Sequence, residues 1–309
     1  MFEENTRMKK FKSYIMCLTL ALMTVVLCSC NKQKDKITLS DSTLDKISEL
    51  EDKYGVTINY CNVPVDDNIK FEYKIADDAD EIAEAVEAAE VIFSRLPDDW
   101  AEYLMNPAVD MGMSEKITKV NVVFCNEIEC EEDAYGTEMS FGMQYTCSED
   151  TLYLLADIHN FEARKSISDT IVNRTLGLIE YEDELTELLM KDQPGLDEKT
   201  EQILFRQYEK CNPENFEYYG YVSEVEDDYK KYIYSEDADV ENVYFINEES
   251  MYSGDLDCIN IMGPLLYTDE NEKLPEAFNS PHIQEKVLYT IDRFDMIFWQ
   301  QGYWSRWFE

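Results

Sequence analysis

The residues that could carry chemistry in this sequence are few and lie far apart along the chain. Only two histidines are present, His159 and His282, and neither has a second potential ligand at the spacing of a metal site. The sequence has no Gly-x-Ser-x-Gly turn, no glycine-rich phosphate loop and no dinucleotide-binding motif. Serine-hydrolase and nucleotide-dependent chemistry are therefore not expected, and both histidines are interpreted as structural.

One thiol stands in a pattern that is typical of lipid attachment. The segment Leu27–Cys30 has a leucine three places before Cys30 and a small residue directly before it, and it resembles the bacterial lipobox. A basic stretch and an apolar run over Tyr14–Leu27 precede it, which is the layout of a cleavable export signal. The run has about 14 residues, fewer than the roughly 20 that span a bilayer as a helix. We therefore predict a signal peptide over residues 1–29 and a lipid on Cys30.

The residues after this cysteine predict a membrane-anchored protein in the cell envelope. Residues 30–37 are polar and lack apolar periodicity, so they are interpreted as a lipidated tether. The expected location is the outer side of the cytoplasmic membrane, or an outer membrane if one is present. An ordinary secretory signal, without lipid, is the alternative.

The charge of the chain argues against one class of partner. The formal net charge is -39, and removal of residues 1–29 takes out four basic and two acidic residues, which leaves -41. Such an acidic protein repels the phosphates of nucleic acid, so no nucleic-acid partner is expected. With 45% apolar and 13% aromatic residues the chain can nevertheless form a substantial core. Residues 38–309 contain no repeat or Pro/Gly-rich linker, so they are predicted to form a single domain.

Six cysteines remain in the mature chain besides Cys30, and an exported protein permits disulfides among them. Their spacings match no known disulfide framework, so the sequence leaves open whether they pair or stay as thiols. They are Cys61, Cys125, Cys130, Cys147, Cys211 and Cys258.

Hydrophobic periodicity predicts an α+β fold with a small mixed or antiparallel sheet. The predicted helices cover residues 41–53, 78–96 and 166–190, with a long last helix that begins at Ser280, an N-cap followed by proline. The predicted strands cover residues 56–60, 119–125, 139–145 and 151–158. We expect the last three strands to form an antiparallel meander.

Several separated segments carry a family resemblance in a fixed order. They are residues 53–58, 120–124, 170–180, 212–218, 244–247 and 253–260, followed by the last helix. Together they resemble a family of bacterial lipoproteins described as zinc-binding metallopeptidases, whose catalytic domain is related to gluzincins such as the anthrax lethal-factor protease. The resemblance implies a metallopeptidase-like fold, with a helix over residues 170–180 in the place of the zinc-binding His-Glu-x-x-His helix.

The zinc site that the resemblance implies is degenerate in this sequence. Asn173 and Gly177 occupy the two histidine positions, and Arg174 replaces the catalytic glutamate. In the later family pattern, Glu-Asp-x-Ala-Glu, Asp257 matches but Asn260 replaces the glutamate ligand. Asparagine and glycine lack the donors that zinc prefers, and arginine cannot act as a base. The resemblance therefore implies a pseudopeptidase with no catalytic residues, bound metal or other cofactor.

The helix that carries Asn260 also contains Gly263 and Pro264, which are expected to end it early.

A non-catalytic binding or scaffolding role is the preferred interpretation, and two others stay open. The first is an active metallopeptidase with displaced ligands, for which Asp255, Asp257 and His159 are the spare candidates. The second is an unrelated α+β module for solute binding or envelope assembly. The partner is expected to be a protein or a glycan. The aromatic-rich residues 299–308 are expected to pack back on the core, and an exposed surface for such a partner is the alternative.

Overall fold

The computed structural model describes residues 37–60, 71–105, 117–130, 139–140, 142–148, 150–190, 205–220, 225–268 and 274–298. The described residues from Leu39 onward belong to one compact unit. The predicted signal peptide, most of the tether, Cys30 and the aromatic residues 299–308 lie outside the described residues.

The first helix, α1 (Asp41–Tyr54), begins and ends as the sequence predicts. Ser40 accepts a hydrogen bond from the Thr43 amide at the N-terminus. The helix ends at Gly55, whose φ of 66° is left-handed and therefore favours glycine. Strand β1 (Thr57–Asn59) follows directly.

The second helix, α2 (Ala79–Ser94), follows strand β2 (Phe71–Ile75). Its N-cap is Asp78, whose carboxylate accepts hydrogen bonds from the amides of Asp80 and Glu81. Its buried face carries apolar residues at helical spacing, namely Ile82, Val86, Ala89 and Phe93. This face packs on the later helix Ala163–Met190, and the short helix α3 (Trp100–Leu104) packs there too.

The central sheet is mixed. Its longest strand, β3 (Lys119–Cys130), pairs in parallel with β1 and with β6 (Thr151–Asp157), while β5 (Met143–Ser148) pairs antiparallel with β6. The order of the main path is β1-β3-β6-β5. β2 and the two-residue strand β4 (Met139–Ser140) pair antiparallel with the end of β3.

The expected antiparallel meander is therefore wrong for β3, since β5 and β6 form a hairpin whose second strand inserts beside β3 in parallel. All seven residues of β6 are buried, which is typical of a central strand with both faces covered.

Two long helices lie against each other beside this sheet. They are α4 (Ala163–Met190), which follows β6, and α6 (Gly254–Tyr267), whose N-cap Ser253 accepts from the Leu256 amide. Between them in sequence lie the short helix α5 (Asp227–Lys230) and several short 3₁₀ helices.

The last helix, α7 (Pro281–Ile297), begins at Ser280 as predicted, and the Ser280 hydroxyl accepts from two amides of the first turn. Its predicted apolar stripe is buried throughout, over Ile283, Val287, Ile291, Phe294 and Phe298. α7 packs on both α4 and α6.

The expectation that Pro264 ends α6 is wrong, because the helix continues through it to Tyr267. Proline lacks the amide hydrogen for one helical hydrogen bond, at a cost of about 3 kcal/mol. The ten residues from Asp257 to Leu266 are all buried, and packing of this length of helix outweighs the missing bond. None of the described helices is both long and apolar enough to span a membrane.

Candidate functional site

A cleft opens between strand β5 and the two helices α4 and α6. Its volume is about 390 Å³. One wall is the edge of the sheet, the floor is the middle of α4, and the opposite wall is the first two turns of α6. The lining residues are Met143, Gln144, Tyr145, Asn173, Asp255, Leu256 and Ile259.

The edge of β5 that faces away from β6 carries backbone hydrogen-bonding groups. β5 pairs with β6 alone among the described strands. Beside it, the Asp157 amide donates to the Gly142 carbonyl at 3.0 Å, which makes this a hydrogen-bonded pair of the ladder. Since such pairs alternate in an antiparallel ladder, the amides and carbonyls of Met143, Tyr145 and Cys147 point away from β6.

One of these outward amides already has a side-chain partner. The Tyr145 N–H donates to Oε1 of the neighbouring Gln144 at 3.0 Å. The amide oxygen of Gln144 thus takes the place that the carbonyl of an added strand would occupy.

Asn173, at the first histidine position, lies at the floor of the cleft. Its Nδ2 is 3.2 Å from Sδ of Met143, so the side chain lies against the sheet edge.

Arg174, at the position of the catalytic glutamate, is instead part of the core. Its side chain is only 1% exposed, and its guanidinium donates to the Leu104 carbonyl at 3.1 and 3.3 Å. The same guanidinium lies 5.3 Å from the ring centroid of Tyr145. Burial raises the pKa of Tyr145, and Arg174 partly opposes this shift. Arg174 therefore packs in the core and hydrogen-bonds to the backbone, and its guanidinium also lies against the ring of Tyr145.

Gly177, at the second histidine position, has a steric reason to be glycine. A Cβ atom there would lie well inside van der Waals contact with the hydroxyl oxygen of Tyr145. Tyr145 reaches across the cleft floor because no side chain is present at Gly177. A histidine at this position would require Tyr145 to move, so the tyrosine fills the volume that a metal ligand would need.

Asp257 is a buried ion-pair residue rather than a cleft residue. Its Oδ2 accepts from Lys286 Nζ at 2.6 Å and from the Tyr218 hydroxyl at 3.1 Å. Both ion-pair side chains are 0% exposed. Lys286 also donates to the Tyr244 carbonyl at 2.9 Å and lies 4.1 Å from the ring centroid of Phe245. Burial raises the pKa of Asp257 and lowers that of Lys286, and their mutual attraction opposes both shifts.

Asn260, at the position of the glutamate ligand, hydrogen-bonds within its own helix and to the preceding loop. Its Oδ1 accepts from Asn247 Nδ2 at 3.1 Å, and its Nδ2 donates to the Leu256 carbonyl at 2.8 Å. It is not among the residues that line the cleft.

The two helices that would carry the ligands do pack closely, as shown by a second glycine. A Cβ atom on Gly263 of α6 would lie 2.5 Å from Oδ1 of Asp169 on α4. The resemblance also implies that Asn173, Gly177 and Asn260 converge on one point, and this stays a prediction.

The spare ligand candidates have different partners. His159 pairs with Glu81 at 2.9 Å on the surface, Asp257 pairs with Lys286 inside, and Asp255 lines the cleft. Within the described part of the chain, no group of three His, Cys, Asp or Glu side chains could hold a metal ion. The other histidine, His282, stacks on the ring of Tyr244.

Three of the cysteines that the structure describes, Cys125, Cys211 and Cys258, are buried thiols. Burial raises the pKa of Cys211 to about 11, and it raises the pKa values of Cys125 and Cys258 further. These three thiols are therefore protonated and inert as nucleophiles at neutral pH.

Sequence reasoning missed the roles of Tyr145 and Gln144. Residues 139–145 were predicted as a strand, and alternation within it was the one signal that could have placed Tyr145 on the helix-facing side. No protein-family profile, curated protein or solved structure matches this chain.

Proposed function

We propose that this chain is a lipid-anchored extracytoplasmic binding protein that holds an extended polypeptide segment along β5 and does not hydrolyse it. The lipid on Cys30 keeps the domain at the membrane surface. The metallopeptidase-like arrangement supplies the cleft, and the replaced residues leave it without the groups for zinc chemistry.

The observation that carries the proposal is the outward face of β5. The Tyr145 N–H lies beside the cleft, and among the described residues the Gln144 side chain is its hydrogen-bond partner. An added strand offers a carbonyl in place of the glutamine and gains further backbone hydrogen bonds along Met143–Cys147. The glutamine protects the edge until a ligand arrives, which is one way in which natural sheets avoid indiscriminate pairing.

The replaced family positions support binding over catalysis. Arg174 donates to a backbone carbonyl of α3, and Tyr145 lies against Gly177. A metal and an activated water would need this same volume.

The test uses soluble protein that begins after Cys30 and fluorophore-labelled heptapeptide pools. One pool has ordinary backbones and the other carries N-methyl groups at alternate residues, which removes the donors of one strand edge. We expect the ordinary pool to be retained at least about tenfold better, and the released peptides to be intact by mass spectrometry. Equal retention of both pools would overturn strand addition.

A matched pair of variants tests the edge of β5 directly. Tyr145→Pro and Tyr145→Ala both remove the aromatic ring, but only the proline variant also removes the outward N–H. The hydrogen bonds between β5 and β6 do not use this N–H or the ring. We expect Tyr145→Pro to retain less peptide than Tyr145→Ala, with circular dichroism showing that both fold. The same retention in both would contradict the role of this amide.

Metal analysis separates the proposal from its enzymatic alternative. After dialysis we expect no stoichiometric zinc in the purified protein. About one zinc per chain together with cleaved peptides would establish an active peptidase with displaced ligands instead.

A further inference from the structure

The wall of the cleft opposite β5 carries a carboxylate that has no compensating charge among the described residues. Asp255 lies in the first turn of α6 and lines the cleft with Leu256 and Ile259. Burial is the one cause that shifts its pKa, and the shift is upward. This contrasts with Asp257, two residues later, whose burial is compensated by Lys286.

A half-buried carboxylate is costly when no donor or cation accompanies it. Acidic residues are common in the first helical turn because the helix dipole favours them, and that benefit accounts for Asp255 at the helix terminus. The dipole does not require the side chain to face a cleft, however. An exposed acidic residue in the first turn gains the same benefit without the loss of hydration.

We propose that the cleft selects ligands that carry a cationic nitrogen, with Asp255 as its counter-ion. This inference rests on the proposed function, because the cation is expected on a side chain of the extended segment held along β5. Lysine and arginine side chains both supply such a group, and so does a free polyamine.

Three features of the site fit a cation delivered in this way. Met143, Leu256 and Ile259 supply apolar surface for the methylene stem of a long side chain. The amides of Gln144 and Asn173 add carbonyl oxygens that can accept from an ammonium or guanidinium group. The mature chain also has a net charge of -41, counted as above, which raises the local concentration of cations near any cleft.

The only nearby cation among the described cleft-floor residues is already engaged. Arg174 donates to the Leu104 carbonyl and lies over the ring of Tyr145. Lys286 is bound to Asp257.

The experiment uses four labelled heptapeptide pools that differ only in a fixed central residue, which is lysine, arginine, norleucine or glutamate. Each pool is tested on the wild-type protein, on Asp255→Asn and on Asp45→Asn. Asp45 is an exposed residue of α1, which packs on β1 at the sheet edge opposite β5, so its variant has the same charge change away from the cleft.

We expect the wild type and Asp45→Asn to retain the lysine and arginine pools about tenfold better than the norleucine pool, and the glutamate pool least. Asp255→Asn should retain the lysine, arginine and norleucine pools alike. Equal retention of the lysine and norleucine pools by the wild type would overturn the cationic preference and leave strand addition intact. A preference that persists in Asp255→Asn would overturn the role of this carboxylate.

A spermidine arm distinguishes the two sources of the cation. Calorimetric binding of spermidine that Asp255→Asn abolishes, with no pool retained, would support the cationic site and overturn the polypeptide ligand. Binding of neither spermidine nor any pool would overturn both proposals.

Discussion

At the scale of single residues, Gly177, Tyr145 and Arg174 depend on one another. Gly177 leaves space that the hydroxyl of Tyr145 fills, and the buried guanidinium of Arg174 lies over the same ring. A change at one of the three therefore alters what the other two can tolerate.

The contact between Gly177 and Tyr145 gives a double-mutant prediction. Gly177→Ala should destabilise the protein by about 1–3 kcal/mol, because the added methyl group forces the phenol away from its position. In a Tyr145→Phe background the hydroxyl is absent, and the higher helix propensity of alanine, worth up to about 1 kcal/mol, should offset much of that cost. Urea unfolding of the four proteins measures both values. The same penalty in both backgrounds would contradict the proposed contact.

The pair formed by His159 and Glu81 gives a pH prediction. The hydrogen bond to Glu81 and the negative charge of Glu81 raise the pKa of His159 above the ordinary value of 6.5. The folded pKa exceeds the unfolded one, so the contribution to stability is complete below about pH 6.5 and is lost as the pH rises through the folded value. An NMR titration should show the raised pKa, and Glu81→Gln should lower it. An unchanged midpoint in that variant would show that Glu81 is not the cause.

At the scale of elements, α6 is held from two sides, by α4 through close contact of Gly263 with Asp169 and by α7 through the ion pair of Asp257 with Lys286. Because α6 forms one wall of the cleft, these two contacts fix the distance between Asp255 and β5. A ligand therefore meets a preformed site, and little ordering energy is spent when it binds.

The buried ion pair predicts an asymmetric response to mutation. Lys286→Met should cost about 3–5 kcal/mol, because Asp257 is left ionisable and unpaired inside the protein. In an Asp257→Asn background the same lysine substitution should cost less. Lys46→Met is the matched control, since Lys46 pairs with Glu90 at 2.7 Å on the surface and should contribute at most about 1 kcal/mol. Chemical denaturation gives the three values, and a similar loss for Lys46 and Lys286 would count against the buried pair.

The contact between α4 and α6 predicts a pH-dependent stability. Asp169 is 4% exposed as a residue, bonds Lys165 at 2.6 Å and faces Ser168, Glu249 and Gly263. Burial raises its pKa to about 6, from an ordinary 3.8.

A carboxyl group with a raised folded pKa binds more protons in the folded state than in the unfolded state between about pH 4 and pH 6. Its contribution to stability therefore falls as the pH rises through that window, by up to about 3 kcal/mol. The free energy of unfolding of Asp169→Asn, relative to that of the wild type, should therefore be higher at pH 7 than at pH 4. Denaturation midpoints of both proteins at the two pH values test this, and a constant difference would show that Asp169 does not titrate there.

At the scale of the whole molecule, the elements could be predicted from the sequence better than their arrangement. The caps at Ser40 and Ser280 and the apolar stripe of α7 are local signals, and the structure has them where they were expected. The parallel pairing of β3 with β6 joins strands that are distant in sequence, and neither strand's own sequence specifies it. The one related observation is that β6 is buried along its whole length, and this is known only from the structure. The sequence likewise does not show that α6 continues through Pro264, because the packing that compensates for the missing hydrogen bond comes from helices that are distant in sequence.

The candidate site was predictable only in part. The resemblance directed attention to Asn173, Arg174, Gly177, Asp257 and Asn260, and the structure has Asn173 in the cleft. The roles of Gln144 and Tyr145 depend on which strand lies at the sheet edge, and that is a property of the topology. The sequence offers Asp255 only as a spare metal-ligand candidate, since a sequence does not reveal whether a carboxylate has a charged or hydrogen-bonding partner.

The last prediction concerns the position of the whole protein at the membrane, and it depends on one thiol. Chain burial of an acyl group contributes about 0.8 kcal/mol per methylene, so two or three acyl chains on Cys30 would hold the protein without any basic helper sequence. Cys30→Ala should therefore abolish labelling by a radioactive fatty acid and release the protein from washed membranes. Cys28→Ala is the matched control, because it removes a neighbouring thiol while Leu27 and Ser29 keep their spacing from Cys30. Cys28→Ala should remain labelled and membrane-bound. Labelling that survives in Cys30→Ala, or is lost in Cys28→Ala alone, would place the acceptor elsewhere, and the binding cleft would then have to act without this anchor.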